Sequence, residues 1–236
     1  MAIDRALLDL AIAEGSCLLR LYRWEPHCLS FGRHEPVLKR YGRERIDALG
    51  VDCVRRPTGG RAVWHARELT YAVAAPNSFG SLPAAYQRIH EMLGNAVRGL
   101  GAPVTLAAPP GRIPTPSDGA CFAAPVGGEL VVAGRKVLGS AQVRGDGGLL
   151  QHGALLLEDD QRLVHQLAGS ETLPAPEAPL SAVLGRRVEF AEAAAAIRDA
   201  AAGWSDTWEP IDQRAVEAGA EAYQVQFKSD AWTWAR

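Results

Sequence analysis

The chain has 236 residues, 47% of them apolar, with 25 Lys and Arg against 27 Asp and Glu and a formal charge of −2; this is the content of one globular domain with mass for a core. So even a charge balance gives no electrostatic footprint for nucleic acid, and no apolar run reaches the ~18 residues of a membrane span. The first residues lack the basic start and long apolar stretch of a secretory signal, so a cytoplasmic location is expected, with neither nucleic acid nor membrane as partner.

Residues 1–13 read as an amphipathic helix carrying Asp4 and Asp9. Residues 17–24 alternate apolar and polar side chains as a strand does, and 28–31 form a second short strand ended by Gly32. A short helix is predicted over 41–49, capped by Gly50. Strands follow at 51–54, 62–64 and 69–75. The clearest helix spans 82–100, where Ile89, Leu93, Ala96, Val97 and Leu100 share a face and Gly101 is the stop.

Residues 107–119 are too rich in Pro and Gly for a helix or central strand and are expected as an exposed loop. Segments 129–132, 136–143 and 149–157 read as a three-stranded meander with glycine turns. A helix is predicted at 159–167, a stiff Pro-rich connector at 174–179, and two helices at 189–202 and 212–223. Hairpins mixed with helices, without βαβ alternation, predict an α+β fold of mixed, largely antiparallel sheets flanked by helices, with 1–236 as a single domain.

Chemistry concentrates in the run Val54-Arg55-Arg56-Pro57-Thr58-Gly59-Gly60-Arg61-Ala62-Val63-Trp64-His65. Glycines admit close backbone approach, and arginines hold phosphate or carboxylate. A surface hairpin turn with a charged entry is the plainer reading of the same residues. Three of the four cysteines, Cys17, Cys28 and Cys53, lie in apolar runs and read as buried hydrophobes. Cys121 instead ends the Pro/Gly-rich loop, as an accessible thiol or a nucleophile. Lys136 is a candidate cation for that thiol. Gly139, Ser140 and Ala141 leave room in a strand for a ligand, and Gln151-His152-Gly153 puts polar atoms beside a glycine on the next strand. The cysteines form no C-x-x-C pair and the six histidines no close pair, so no metal is expected.

Arg55 to His65, Glu68-Leu69-Thr70-Tyr71, Cys121-Phe122-Ala123-Ala124-Pro125, Gly134 to Gln142 and Leu150-Gln151-His152-Gly153 occur in the order of the lipoate–protein ligase and octanoyltransferase superfamily, which the chain resembles over nearly its whole length. The match is nearest to the cysteine-dependent Bacillus-type octanoyltransferases. Ligases usually carry a third glycine where Arg61 stands, and the Cys-Phe-x-x-Pro element carries the acyl-enzyme nucleophile in the transferases. Three departures stand out. The strand that precedes the family's first helix has no counterpart here. Val126-Gly127-Gly128 replaces a Ser-x-aromatic segment, which bears on chain-length preference. The region after His165 matches weakly until Ser229-Asp230-Ala231-Trp232.

The resemblance implies a biotin/lipoate ligase-like catalytic domain that moves an octanoyl group from octanoyl-acyl carrier protein, through a thioester on Cys121, to a lysine of a lipoyl domain. That domain belongs to the glycine-cleavage carrier protein or to a 2-oxoacid dehydrogenase subunit. Lys136 would hold the acyl carbonyl and favour the thiolate. The implied pocket draws Arg55, Arg56, Thr58, Gly59, Gly60, Arg61 and His65 from the first motif. Tyr71, Gly139, Ser140, Ala141, Gln142, His152 and Gly153 complete it. No cofactor is implied. An ATP-dependent ligase that dispenses with Cys121, and a non-catalytic homologue that only binds acyl carriers or lipoyl domains, stay open.

Overall fold

The structure is a computed structural model that describes residues 1–107, 127–145, 147–158, 161–169, 177–205 and 207–235. The first helix is α1 (Ala2–Glu14), followed by β1 (Leu18–Tyr22) and β2 (Cys28–Phe31). A short helix that the sequence reading lacks, α2 (Val37–Arg40), precedes the one expected at 41–49, which is α3 (Arg43–Leu49); Gly42, with φ +68°, lies between them. Strands β3 (Asp52–Arg55), β4 (Val63–His65) and β5 (Glu68–Pro76) lead to α4 (Leu82–Gly99), whose cap Ser81 accepts the Ala84 N–H. Then come β6 (Thr105–Leu106), β7 (Leu130–Val132), β8 (Arg135–Lys136), β9 (Leu138–Gly145) and β10 (Gly148–Leu156). Helices α5 (Arg162–Leu167), α6 (Leu180–Leu184), α7 (Phe190–Ala201), α8 (Gln213–Phe227) and α9 (Asp230–Thr233) complete the described chain. Among the described residues no helix is long and apolar enough to cross a membrane.

The main sheet is antiparallel, in the order β1-β5-β10-β9. Strand β5 is buried along almost its whole length because helices cover both faces. Successive side chains of a strand point to opposite faces. Leu69, Tyr71 and Val73 therefore pack with Ile89 and Leu93 of α4 and Ile197 of α7, while Ala72 and Ala74 meet Leu7 and Leu8 of α1 and Val216 of α8. Three layers result, α4/α7 on one side and α1/α8 on the other. This bears out the α+β expectation.

Three expectations need correction. The Gly59-Gly60 segment is not a hairpin turn. Its flanking strands β3 and β4 do not pair, because β2 lies between them, parallel to β3 and antiparallel to β4. The segment is a crossing loop that folds onto β2, and a Cβ at Gly32 would lie 1.9 Å from the Gly60 carbonyl oxygen. The meander also divides. Strands β7 and β8 join β6 in a small sheet, whereas β9 and β10 join β5. Val137 is the join: its N–H donates to Leu130 O at 3.0 Å and its carbonyl accepts from Leu156 N–H at 3.1 Å. Third, the end of the Pro-rich connector is not a spacer. Glu177 is fully buried, bridges to Lys136 in parallel and accepts the Gln161 N–H.

Arg55, on β3, binds the C-terminal residues to this frame. It is 1% exposed. Its guanidinium donates to the carbonyls of Trp232, Thr233 and Ala235 on one side and of Gly32, Arg33 and Glu35 on the other. The Trp232 indole N–H returns a bond to the Arg55 carbonyl at 2.9 Å. Removing the guanidinium takes its donors from all six carbonyls and costs on the order of 3 kcal/mol or more. Arg55→Leu is expected to lower the denaturation midpoint and to speed amide exchange at 230–235 ahead of the sheet. Unchanged exchange there would show that the C-terminal segment docks without it.

Candidate functional site

On the α1 side of the main sheet, α1 leaves part of the surface uncovered. One row across the sheet consists of Tyr22, Thr70, Ala154 and Gly139, each the registered partner of the next. The crossing loop and β4 arch over this row. They enclose a cleft of about 370 Å³, counted to its open mouth, floored by that row and roofed by Arg56, Gly60 and Val63. His65 and His152 stand in its walls.

The histidines, arginine and threonine of these walls each have partners beside them, while Glu68, which serves two of them, leaves its second oxygen, Oε2, buried without one. His65 Nδ1 lies 2.6 Å from Glu68 Oε1 and Nε2 lies 2.5 Å from the Ser30 hydroxyl. In the neutral ring the Nδ1–H donates to the carboxylate, so Nε2 accepts from the Ser30 O–H. Ser30 in turn accepts from Arg56 Nη1 at 2.6 Å. The other end of Arg56 donates to the carbonyls of Gly59 (3.2 Å) and Arg61 (2.7 Å), which fixes the loop. The Thr70 hydroxyl donates to the same Glu68 oxygen and accepts the Trp24 indole N–H at 3.0 Å. The Trp24 ring stacks on His65, centroids 4.7 Å apart.

His152 repeats the pattern from β10, with Nδ1 3.2 Å from Asp4 Oδ2 and Nε2 2.6 Å from the Thr58 hydroxyl. Burial lowers the His152 pKa and keeps the ring neutral, against the pull of Asp4. Asp4 also accepts from Arg20 (2.7 Å) and Tyr22 (3.2 Å). Burial opposes its ionisation, yet the Met1 ammonium, His152 and Arg20 outweigh that and hold it well below the usual carboxylate range.

At the β9 edge, Ser140 Oγ lies 2.7 Å from the Tyr71 hydroxyl and 2.8 Å from His90 Nε2. Gln151 donates to Tyr71 and Gln142 donates to Gln151. Desolvation, with a smaller contribution from Lys136, pulls His90 down to about 3. Just before β9, Lys136 is buried and its ammonium donates to Glu129 Oε1 at 2.6 Å. Gly153 makes a tight joint between β10 and β9. A Cβ there would lie 2.2 Å from the Gly139 carbonyl oxygen and 2.7 Å from Ser140 Oγ.

Of the residues expected at a pocket, Arg56, Gly60, His65, Gly139, Ser140, Ala141, His152 and Gly153 line this cleft. Thr58, Tyr71 and Gln142 stand behind it as hydrogen-bond partners, and Gly59 and Arg61 offer carbonyls to Arg56. Arg55 does not line it, since its guanidinium serves the C-terminal residues. Cys121 lies outside the described residues. Asp4, Tyr22, Trp24, Ser30, Glu68 and Thr70 are not among the site residues expected from the sequence. Glu68 and Thr70 stand in a motif that carries the family resemblance, and Asp4 is a charge on the apolar stripe of Leu7, Leu8 and Ala11. Among the described residues no group of three or more His, Cys, Asp or Glu could hold a metal ion.

Residues 1–202 match the model of the lipoyl protein ligase A/B catalytic domain, and the chain belongs to that family. Within it, one relative is the octanoyltransferase LipM of Exiguobacterium sp. (strain ATCC BAA-1283 / AT1b), 34% identical over 100% of this chain and 93% of its own length. The octanoyltransferase LipM of Kyrpidia tusciae is 38% identical over 94% of this chain and 81% of its own. A lipoate-protein ligase A bound with ATP superposes with a TM-score of 0.82 over 99% of this chain and 92% of its own, at 18% identity. A bi-partite lipoate protein ligase from Thermoplasma acidophilum, described with its E2 lipoyl domain, gives 0.75 over 99% and 89%, at 19% identity. At such identities the two structures speak for the fold alone.

Two outcomes are expected. Gly153→Ala drives a methyl into the Gly139 carbonyl and should destabilise the protein by about 1–3 kcal/mol, read as a lowered denaturation midpoint; an unchanged midpoint would mean that β9 shifts freely. For pH, His90 and His152 are neutral when folded but protonate near 6.5 when unfolded, so the unfolded chain binds the extra protons. Stability should therefore fall as pH drops below about 6.5, by up to ~1.4 kcal/mol per pH unit for each histidine. His90→Gln should make that slope shallower in denaturant titrations at pH 5, 6 and 7; an equal slope would contradict the assignment.

Proposed function

We propose that this chain transfers an octanoyl group from octanoyl-acyl carrier protein to a lysine of a lipoyl domain, by way of a cysteine thioester, and that residues 1–236 act as one catalytic domain. Octanoyl transfer accords with the relatives that carry the octanoyltransferase name over 100% and 94% of the chain. The observation that carries the reading is the cleft itself, whose histidines, arginine and threonine all have partners inside the walls. A straight alkyl chain can be buried there without stranding a polar atom, each CH₂ contributing roughly 0.8 kcal/mol.

The nucleophile follows from the thiols. Desolvation pushes Cys17 up to about 11 and Cys53 up to about 12, and raises Cys28 further. A thiol with so high a pKa is a poor source of thiolate. Cys121 is the remaining cysteine, and we assign the acyl thioester to it. Its thiolate attacks the carrier thioester, and the carrier leaves as a thiol after taking up a proton. The neutral amine of the acceptor lysine then attacks the acyl-cysteine, loses a proton and expels the Cys121 thiolate, leaving an amide. Thioester to thioester is nearly level and thioester to amide is downhill, so the sequence of bonds needs no ATP. Lys136, on the short strand β8 just before β9, would stabilise the developing oxyanion. The acceptor is the lipoyl domain of the glycine-cleavage carrier protein or of a 2-oxoacid dehydrogenase subunit.

Incubation with octanoyl-acyl carrier protein and no ATP should add one octanoyl mass. Cys121→Ser should lower transfer to a lipoyl domain by on the order of 10³-fold or more. Mild iodoacetamide should label Cys121 before Cys17, Cys28 and Cys53. Transfer that requires ATP and survives the substitution would instead identify a ligase.

A further inference from the structure

Lys136 stands on an edge. Its strand, β8, is two residues long and is the last of a small sheet of order β6-β7-β8. On one side β8 pairs with β7 through Lys136 and Arg135. The other side is closed by the chain returning at 177–178. Glu177 bridges to Lys136 in parallel, the Ala178 N–H donates to the Lys136 carbonyl at 2.8 Å, and Arg135 donates to the Glu177 carbonyl.

The roof of the cleft has an edge as well. Strand β4 carries the cleft residues Val63 and His65 and is the outer strand of the sheet β3-β2-β4. The Gln161 side chain closes that edge as a paired strand would. Its Oε1 accepts the Trp64 N–H at 2.8 Å and its Nε2 donates to the Trp64 carbonyl at 2.9 Å. The Gln161 backbone N–H then donates to Glu177 Oε1 at 2.9 Å. A line of hydrogen bonds therefore runs from Trp64 in the roof, through Gln161 and Glu177, to the backbone of Lys136. Gln161, Glu177 and Lys136 are all buried, which shields these bonds from competing water. The second carboxylate oxygen of Glu177 lies 3.9 Å from His165 Nε2, and neither atom has a hydrogen-bond partner among the described residues. Gln161 is thus the group that holds this carboxylate by a hydrogen bond.

We infer that Glu177 is a positioning residue for acyl transfer, fixing Lys136 in place relative to the roof of the cleft. This rests on the reading of Lys136 as the group that stabilises the oxyanion. Glu177 does not line the cleft, so it acts through Lys136 and not on the substrate. A donor of this kind works only where the charge develops, and a shift of about 1 Å can cost on the order of 10²-fold in rate. Pairing with β7 alone is little to hold such a place, because short two-stranded pairs are marginal on their own. Glu177 ties the lysine's strand to a second sheet, the one that carries β4 and the roof.

The test is octanoyl transfer to a lipoyl domain by the wild-type protein, Lys136→Ala, Glu177→Ala and the double variant. Glu177→Ala should lower kcat about tenfold or more, with KM for octanoyl-acyl carrier protein within about twofold of wild type. Glu177→Gln keeps an oxygen for the Gln161 N–H and should bring kcat back to within about threefold of wild type. In the Lys136→Ala background, Glu177→Ala should cost less than about twofold more, because residues that act as a unit are not additive. Equal losses in the two backgrounds would show a merely structural role and overturn the inference, as would a folded Glu177→Ala with wild-type kcat. If Glu177→Ala fails to fold, Gln161→Ala cuts the same line at the roof, and its loss of kcat should likewise vanish in the Lys136→Ala background. A Lys136→Ala variant that transfers as fast as wild type would instead defeat the reading of Lys136 on which this rests.

Discussion

An apolar cleft cannot leave polar atoms of its walls unpaired, and this one has two histidines, an arginine and a threonine in its walls. A buried polar group without a partner costs about 1–3 kcal/mol. The architecture around the cleft is the solution to that constraint. Each imidazole has a carboxylate on one nitrogen and a hydroxyl on the other, Glu68 and Ser30 for His65, Asp4 and Thr58 for His152. The partners come from α1, β2, β5 and the crossing loop. The same bonds that make the walls inert therefore hold these elements in place, and the cleft cannot be altered at one residue without disturbing several.

Arg55, the last residue of β3, and Arg56, the first beyond it, show how chain neighbours divide the labour. Successive side chains of an extended chain point to opposite sides. Arg55 faces the C-terminal carbonyls, and Arg56 faces Ser30 and the carbonyls of its own loop. Each guanidinium presents five donors in a planar fork, enough to hold several carbonyls that the crossing loop and the chain end leave outside any ladder. Neither arginine is the simple anion holder that its composition suggests. Both organise backbone, and only Arg56 does so at the cleft.

Much of the layout was legible in the chain. The helices of α1 and α4 follow from apolar spacing, and the strands from alternation, because those periods are local properties of the backbone. Gly153 and the small run Gly139-Ser140-Ala141 signalled close approach, and the structure places them where a Cβ at Gly153 meets backbone. The split meander was not legible. Nothing within 129–157 says that Val137 donates to one sheet and accepts from another, since that choice is made by Leu130 and Leu156 together. The path of the crossing loop was not legible for a like reason. A double glycine between two strands has the composition of a hairpin, and only the insertion of β2 between β3 and β4 excludes it.

By itself, then, the sequence determined the class of fold, the family and the stretch of chain that forms the roof of the cleft. These depend on spacing and on residue types that only certain backbone conformations accept. The tertiary structure decided which polar side chains meet. Asp4 reaches His152 across 148 positions and Trp24 reaches Thr70 across 46. Such pairs carry no period and leave no local pattern, because a hydrogen bond is set by position in space and not by separation along the chain. The lining of the cleft is a property of those pairs.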